Sequence, residues 1–268
     1  MYDCHLHCYH SQDSDTPIID MVNKAIECGY KYMAFSDHLD RDYLYDNCPD
    51  SHIPQIDLDK HIREIREYSE RFKGVIDIAV GVECGYSKAS EYDYVRLVNN
   101  SNFDVVLNSI HTVNGIDCYN ALYYENKSKR QAYSEYLLAI LDSVNSKIDY
   151  NVITHIGYVC RKAPYQNKEM EYSEYNDIID TIFKSMIDRN VSLELNTHTK
   201  SDTLAFLPYQ SIVNRYIELG GIHFTYGSDA HRVNRVGEKF DKVRDFLLSK
   251  NIKYINTYKN KIMIKNKL

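Results

Sequence analysis

Short apolar runs alternate with longer amphipathic stretches along nearly the whole chain. Tyr2–Cys4, Tyr32–Phe35, Val75–Val82, Val105–Asn108, Val152–Thr154, Ser192–Leu195 and His223–Tyr226 have the length and flanking turn residues of buried strands. Between them the apolar positions change to helical spacing. Pro17–Cys28 predicts a helix with Thr16 as its cap, Pro17 at its first position and Gly29 beyond its end. Leu58–Phe72 carries Ile62, Ile65 and Tyr68 on one face; Lys129–Val144, Tyr175–Arg189, Pro208–Leu219 and Gly237–Leu248 complete the helices. Strands alternating with helices, without a separate run of strands, predict a parallel sheet wrapped by helices, and closure into a TIM-like (β/α)7 barrel suits this length. No internal repeat, low-complexity linker or compositional break divides residues 1–268, so one domain is expected. The longest irregular stretch, Asp40 to Ile56, reads as a loop over the active face.

Composition narrows the partners. With 268 residues, 44% of them apolar and 26% charged, the chain can bury a large core. The formal charge of −6 lacks the basic face that phosphate-backbone binding needs, which argues against nucleic acid as a partner. The Lys-rich stretch from Lys259 to Lys267 reads as a solvated end. The opening MYDCHLHC is no signal peptide, and no apolar run reaches the roughly 18 residues of a membrane span. Seven cysteines, odd in number and without a CxxC pair, fit reduced thiols in the cytoplasm. The 25 tyrosines and absence of tryptophan read as genomic base bias. A small molecule is the expected partner, and the oligomeric state stays open.

The chemistry lies at the strand ends. His5 and His7 end the first strand; Asp37 and His38 follow the second; Glu83 follows the third, His111 the fourth and His155 the fifth. Asn196 follows the sixth, and Asp229 and His231 the seventh. All strands of a parallel barrel open on one face, where barrel enzymes keep their active sites. Six imidazoles and several carboxylates aimed at one basin would be costly to bury without a counterpart. Divalent zinc, manganese or iron suits that donor set. The HxH and DAH pairs add geometry, because residues two apart on a strand share a face, and Gly227 is expected to give the backbone room to turn.

DCHLHCYHSQDSD, AFSDH, GVECGY, NSIHTVNG, THIGYVCRKAP, LELNT and GSDAHRVNRVG, spread over nearly the full chain, resemble the polymerase-and-histidinol-phosphatase (PHP) family and within it the monofunctional histidinol-phosphatase branch. The resemblance implies a distorted (β/α)7 barrel, two to three divalent ions, and hydrolysis of L-histidinol phosphate in histidine biosynthesis. It places one ion between His5, His7, Glu83 and Asp229, a second between Glu83, His111 and His155, and a third between Asp13, His38 and His231, with His10 as the alternative to Asp13. Arg161 fits the family's phosphate-binding arginine. Where many relatives carry Ser-Gly-Leu-Arg after the sixth strand, this chain has His198, Thr199 and Lys200, which leaves Lys200 or His198 as the second contact. Three divalent ions against three carboxylates leave roughly +3, a site suited to a phosphomonoester dianion. The mechanism this implies is in-line attack on phosphorus by a hydroxide bridging two ions, with Glu83, Asp229 and His231 as the catalytic groups and Asp37 orienting a ligand from behind.

Other residues carry quieter readings. His61 and His223 are expected to be satisfied packing histidines, and His52 matches no ligand position. Cys4 and Cys84 alternate away from the ligands, while Asp40, Asp42, Asp46 and Asp50 read as a solvated acidic loop, with contact of one carboxylate to a cationic substrate group as the alternative. Three rival functions remain: an amidohydrolase-type metal hydrolase, a PHP phosphoesterase acting on a nucleotide or phosphotyrosine, and a metal-binding module without activity.

Overall fold

The computed structural model describes residues 1–41, 56–199 and 204–268. Seven parallel strands run β1 (Tyr2–Leu6), β2 (Tyr32–Phe35), β4 (Asp77–Gly85), β5 (Val105–Ser109), β8 (Val152–Ile153), β9 (Ser192–Asn196) and β10 (Phe224–Gly227), neighbouring in that order. The ring closes where Leu6 bridges Ala230, with His7 N–H donating to Ala230 O at 3.0 Å and Asp229 N–H to His5 O at 2.8 Å. Around it lie α1 (Ile18–Glu27), α2 (Leu58–Arg71), α3 (Glu91–Asn100), α4 (Lys129–Val144), α5 (Tyr172–Asp188), α6 (Gln210–Glu218) and α7 (Phe240–Ser249). Each helix buries its apolar stripe against the outer face of the strands, as Met21, Val22 and Ala25 of α1 and Ile179, Ile182 and Phe183 of α5 do.

Three features depart from the expected pattern. β1 carries a register irregularity between Asp3 and Leu6. Because of it Cys4 packs in the small apolar cluster inside the barrel, while His5 immediately after it also turns toward the interior. A bulge re-aims side chains in this way, and here it adds both histidines to the polar rim. Second, β2 stops before Ser36 and the chain resumes as the two-residue β3 (His38–Leu39), paired to β4 so that His38 lies opposite Glu83. Third, the helix α1 has Pro17 rather than Thr16 at its cap, since the Thr16 hydroxyl donates instead to His231 O at 2.8 Å.

The C-terminal stretch is not a solvated end. β11 (Tyr254–Lys259) and β12 (Ile262–Lys267) form an antiparallel hairpin against the floor of the barrel. Tyr258, 2% exposed, joins Cys4, Ala34, Ala79, Val105, Leu107 and Val152 within it. Its hydroxyl donates to Asn151 O at 3.1 Å and lies 2.7 Å from Ser192 Oγ. A shorter hairpin, β6 (Thr112–Val113) and β7 (Ile116–Asp117), follows His111 and carries the chain to Tyr119. Among the described residues no helix is long and apolar enough to cross a membrane.

Candidate metal centre

Glu83 sits at the centre of the C-terminal rim, fully buried near the end of β4. Its Oε1 lies 2.8 Å from His155 Nε2 and 3.1 Å from His111 Nε2. Its Oε2 lies 2.8 Å from His38 Nδ1, 3.3 Å from His5 Nε2 and 3.6 Å from His7 Nε2. Asp229, at positive φ just beyond β10, puts Oδ1 3.4 Å from His7 Nε2 and 3.9 Å from His5 Nε2. A third grouping forms at the mouth, where Asp13 Oδ2 lies 3.0 Å from His231 Nε2 and 3.5 Å from His38 Nε2. All nine residues expected as ligands therefore come together: seven line a cavity of roughly 380 Å³ at the rim, and His5 and His7 reach Glu83 and Asp229 from beneath it. His10 is not among them: its ring turns to Glu64, 3.0 Å away.

Four of the imidazoles, His5, His7, His111 and His231, are held by Nδ1 with Nε2 aimed inward. His5 Nδ1 donates to Glu194 Oε1 at 2.6 Å, and His111 Nδ1 to Asp40 Oδ1 at 2.8 Å. His7 Nδ1 meets Ser11 Oγ at 3.0 Å, and that hydroxyl donates to Asp37 Oδ1 at 2.7 Å. His231 Nδ1 donates to Asp229 O at 3.1 Å. Fixing Nδ1–H in this way leaves Nε2 as a lone-pair donor, the usual support behind a metal-bound histidine. Asp37 thus orients a ligand at one remove, through Ser11. Asp40 and Glu194, by contrast, were not assigned to the site by their sequence positions.

Glycines make the space. A Cβ on Gly227 would come within 2.8 Å of His5 Cβ and collide with the Glu194 carboxylate. The close approach, rather than a turn, requires glycine there; the turn conformation belongs to Asp229, at φ 50°. Gly85 leaves room for the Asp40 carboxylate in the same manner.

Electrostatics make the basin unusual. Burial opposes charge on Glu83, yet His5, His111 and His38 hold its carboxyl well below the ordinary carboxylate range. Asp229 is likewise held low against burial by His198 and His5. Burial pulls His111 downward, but Asp40 and Glu83 outweigh it and push the ring up to about 10. His7 goes the other way: burial and the neighbouring His231 and His38 push it down to about 3. His7 and His231 stack with ring centres 4.0 Å apart, an arrangement that two imidazolium rings would resist.

The donors fit a bound cation. His5 Nε2, His7 Nε2, His38 Nδ1 and Glu83 Oε2 are buried and face one another at 2.8 to 3.6 Å without hydrogen-bond geometry between them. Each such atom costs on the order of 1–3 kcal/mol if nothing satisfies it. The imidazole-to-carboxylate separations in the His5, His7, Glu83 and Asp229 set run from 3.3 to 3.9 Å. Donors around a tetrahedral zinc with bonds of about 2.0–2.1 Å stand roughly 3.3 Å apart.

Arg161 forms the wall of the basin. Its Nη2 donates to Asn196 Oδ1 at 2.8 Å and Asp229 Oδ2 at 3.2 Å, and the guanidinium lies over Tyr158. His198 stands beside it, with Nδ1 donating to Asp229 O at 2.8 Å. Lys200, His52, Asp42, Asp46 and Asp50 fall outside the described residues. Asp40 is buried rather than solvated. His61 is buried with Nε2 donating to Gly81 O at 3.0 Å and Nδ1 3.2 Å from Asp37 Oδ2 but not hydrogen-bonded, so it packs as expected but is only half satisfied, and His223 pairs with Asn256.

Residues 3–198 match the PHP domain family. Over 266 residues the chain is 29% identical to "Histidinol-phosphatase" of Lactococcus lactis, covering 99% of this chain and 97% of that protein. It is 30% identical to "Probable histidinol-phosphatase" of Clostridium acetobutylicum, over 90% of each. Among solved structures it is similar to histidinol phosphate phosphatase from Lactococcus lactis complexed with zinc, L-histidinol and phosphate. That pair is 28% identical, with a TM-score of 0.89 over 98% of both chains.

Proposed function

From the chain's membership of the PHP domain family, we propose that it is a metal-dependent phosphomonoesterase that hydrolyses L-histidinol phosphate to L-histidinol and phosphate. The observation that carries this is the cluster of buried ligand atoms that face one another around Glu83 and Asp229 without hydrogen bonds between them. His5, His7, Glu83 and Asp229 would hold one ion, Glu83, His111 and His155 a second, and Asp13, His38 and His231 a third. Nitrogen and carboxylate donors suit zinc, and equally manganese or iron. Such ions, when bound, bring water close to ionisation at neutral pH and draw charge from phosphoryl oxygens.

The protein's own groups do the rest. Arg161 keeps its charge at any working pH and offers N–H donors to the phosphate oxygens from the basin wall. Those donors act where charge grows in the transition state. A water oxygen joins phosphorus as the ester P–O bond opens opposite it, so the alcohol must regain a proton. The attacking water gives up the proton that the alcohol oxygen regains, and in this reading His231 and Asp229 are the groups that carry it. His231, at the mouth, orders Asp13 beside it. His198 and Lys200 are the further phosphate contacts in this reading.

The test is phosphate release by purified, metal-loaded protein from a panel containing histidinol phosphate, a nucleotide and a phosphotyrosine peptide. A kcat/KM for histidinol phosphate at least tenfold above the others is expected. Preference for the peptide or nucleotide would replace the substrate assignment, and deamination or amide hydrolysis without phosphate release would replace the reaction.

A further inference from the structure

The barrel closes at a seam without a strand ladder. Among the described residues β1 and β10 meet through the Leu6–Ala230 bridge and the backbone bonds beside it. On β1 the register with β2 passes from Asp3 opposite Met33 to Leu6 opposite Phe35, three residue steps against two, so β1 carries an extra residue. On the other side of the seam, Gly227 brings the backbone against His5, and Asp229 turns at positive φ. The His5 and Ser228 amides therefore lie in irregular, fully buried backbone, where an N–H without an acceptor is costly. Both find the same atom. Asp3 Oδ1 accepts from His5 N–H at 3.0 Å and from Ser228 N–H at 3.1 Å. Asp3 Oδ2 accepts from the Tyr30 hydroxyl at 3.1 Å, which fixes the carboxylate's orientation, and the whole side chain is buried.

We propose that Asp3 is a positioning residue for the first ion: it clamps the β1 bulge to the exit of β10 and so sets His5 and Asp229 at one spacing before any ion arrives. The inference rests on reading His5, His7, Glu83 and Asp229 as the ligands of that ion. His5 is itself one of the clamped residues, and Asp229 directly follows the other. Asp229 N–H in turn donates to His5 O at 2.8 Å, so the two ligand residues are tied to each other on both sides of the clamp. Their inward atoms, His5 Nε2 and Asp229 Oδ1, stand 3.9 Å apart. Elsewhere in the barrel continuous ladders fix the spacing of neighbouring strand ends, as between β9 and β10; at this seam a side chain takes that part. The clamp works through reach rather than charge, because one oxygen must meet two N–H groups at once. An Asn side chain keeps that oxygen in place, whereas a shorter or longer side chain loses it.

The experiment titrates zinc into the parent protein, Asp3→Asn, Asp3→Glu and Asp3→Ala against a competing chelator, resolving the affinity of each ion. Asp3→Asn should hold every ion within about threefold of the parent, while Asp3→Glu and Asp3→Ala should weaken one ion per chain by about 10–100-fold and spare the rest. Should the latter two fail to fold, amide exchange of the parent decides instead. The His5 and Ser228 amides should exchange as slowly as ladder amides of β4 in the stripped and the zinc-loaded protein alike. Parental zinc affinity in Asp3→Ala, equal weakening of every ion, a loss in Asp3→Asn as large as in Asp3→Ala, or exchange of the two amides at the pace of exposed turns each overturns the proposal. A parent that takes up no zinc overturns the ligand reading itself, and the role of Asp3 with it.

Discussion

Glu83 Oε1 faces His111 and His155 while Oε2 faces His5, His7 and His38, so one carboxylate touches five imidazoles. Its neighbours are themselves held from behind, and Asp40 shows how much that support matters. Replacing Asp40 by Asn keeps the shape but removes the charge that fixes His111 Nδ1–H. Metal affinity or turnover should fall by about 10–100-fold, read by metal titration and initial rates. A variant with parental affinity and rate would show that His111 needs no such partner. Most of the donors around Glu83 were legible because they lie at or just past strand ends, as the ITH and YGSD strings show, whereas Asp13, in the loop after β1, came only from the family resemblance. Asp40 was hidden among similar acids of one loop, and only the space left by Gly85 singles it out. Glu194 had a usable signal, a lone acid in LELN on the same face as Asn196, but nothing local tells a buried ligand support from a substrate contact.

At the scale of elements, periodicity located the seven barrel strands to within a few residues and the helix α4 at its observed bounds. It missed α3, whose only fully buried apolar positions are Tyr94 and Val98 amid charged and amide side chains. Tyr94 earns its place through a hydroxyl that donates to Gly85 O at 2.6 Å, a contact no local pattern announces. The C-terminal hairpin was hidden for a related reason. Lysines on the exposed side of β12 mask strand alternation, while β11 buries residues on both faces, Ile255 and Thr257 on one, Asn256 and Tyr258 on the other. The hairpin closes the end of the barrel opposite the site, so it is expected to act on stability. Tyr258→Ala should cost about 3–5 kcal/mol in urea unfolding while metal stoichiometry at saturation is kept. An unchanged unfolding midpoint would mean that the floor is held without it.

Across the whole molecule, the barrel gathers donors from every principal strand end onto one face while the net charge stays at −6. A phosphate dianion is attracted to that face only if cations outweigh its carboxylates. In their absence protons take the role: burial lowers His5 and His38, but Glu194 and Glu83 beside His5, and Glu83 and Asp13 beside His38, raise both rings well above the ordinary range. Ions entering the basin must displace those protons. Uptake should therefore release protons and weaken as pH falls from about 8 to about 6, which calorimetry in buffers of different ionisation enthalpy can read. Proton-neutral uptake with pH-independent affinity would contradict that competition.

The most direct measurement strips the purified protein with a chelator and follows phosphate release from histidinol phosphate as zinc, manganese or iron is returned, with bound metal counted by elemental analysis. Hydrolysis should vanish in the stripped protein and return in step with at least two ions per chain. Full hydrolysis by protein holding less than about a tenth of an ion per chain would contradict the claim that these strand-end donors work through bound cations.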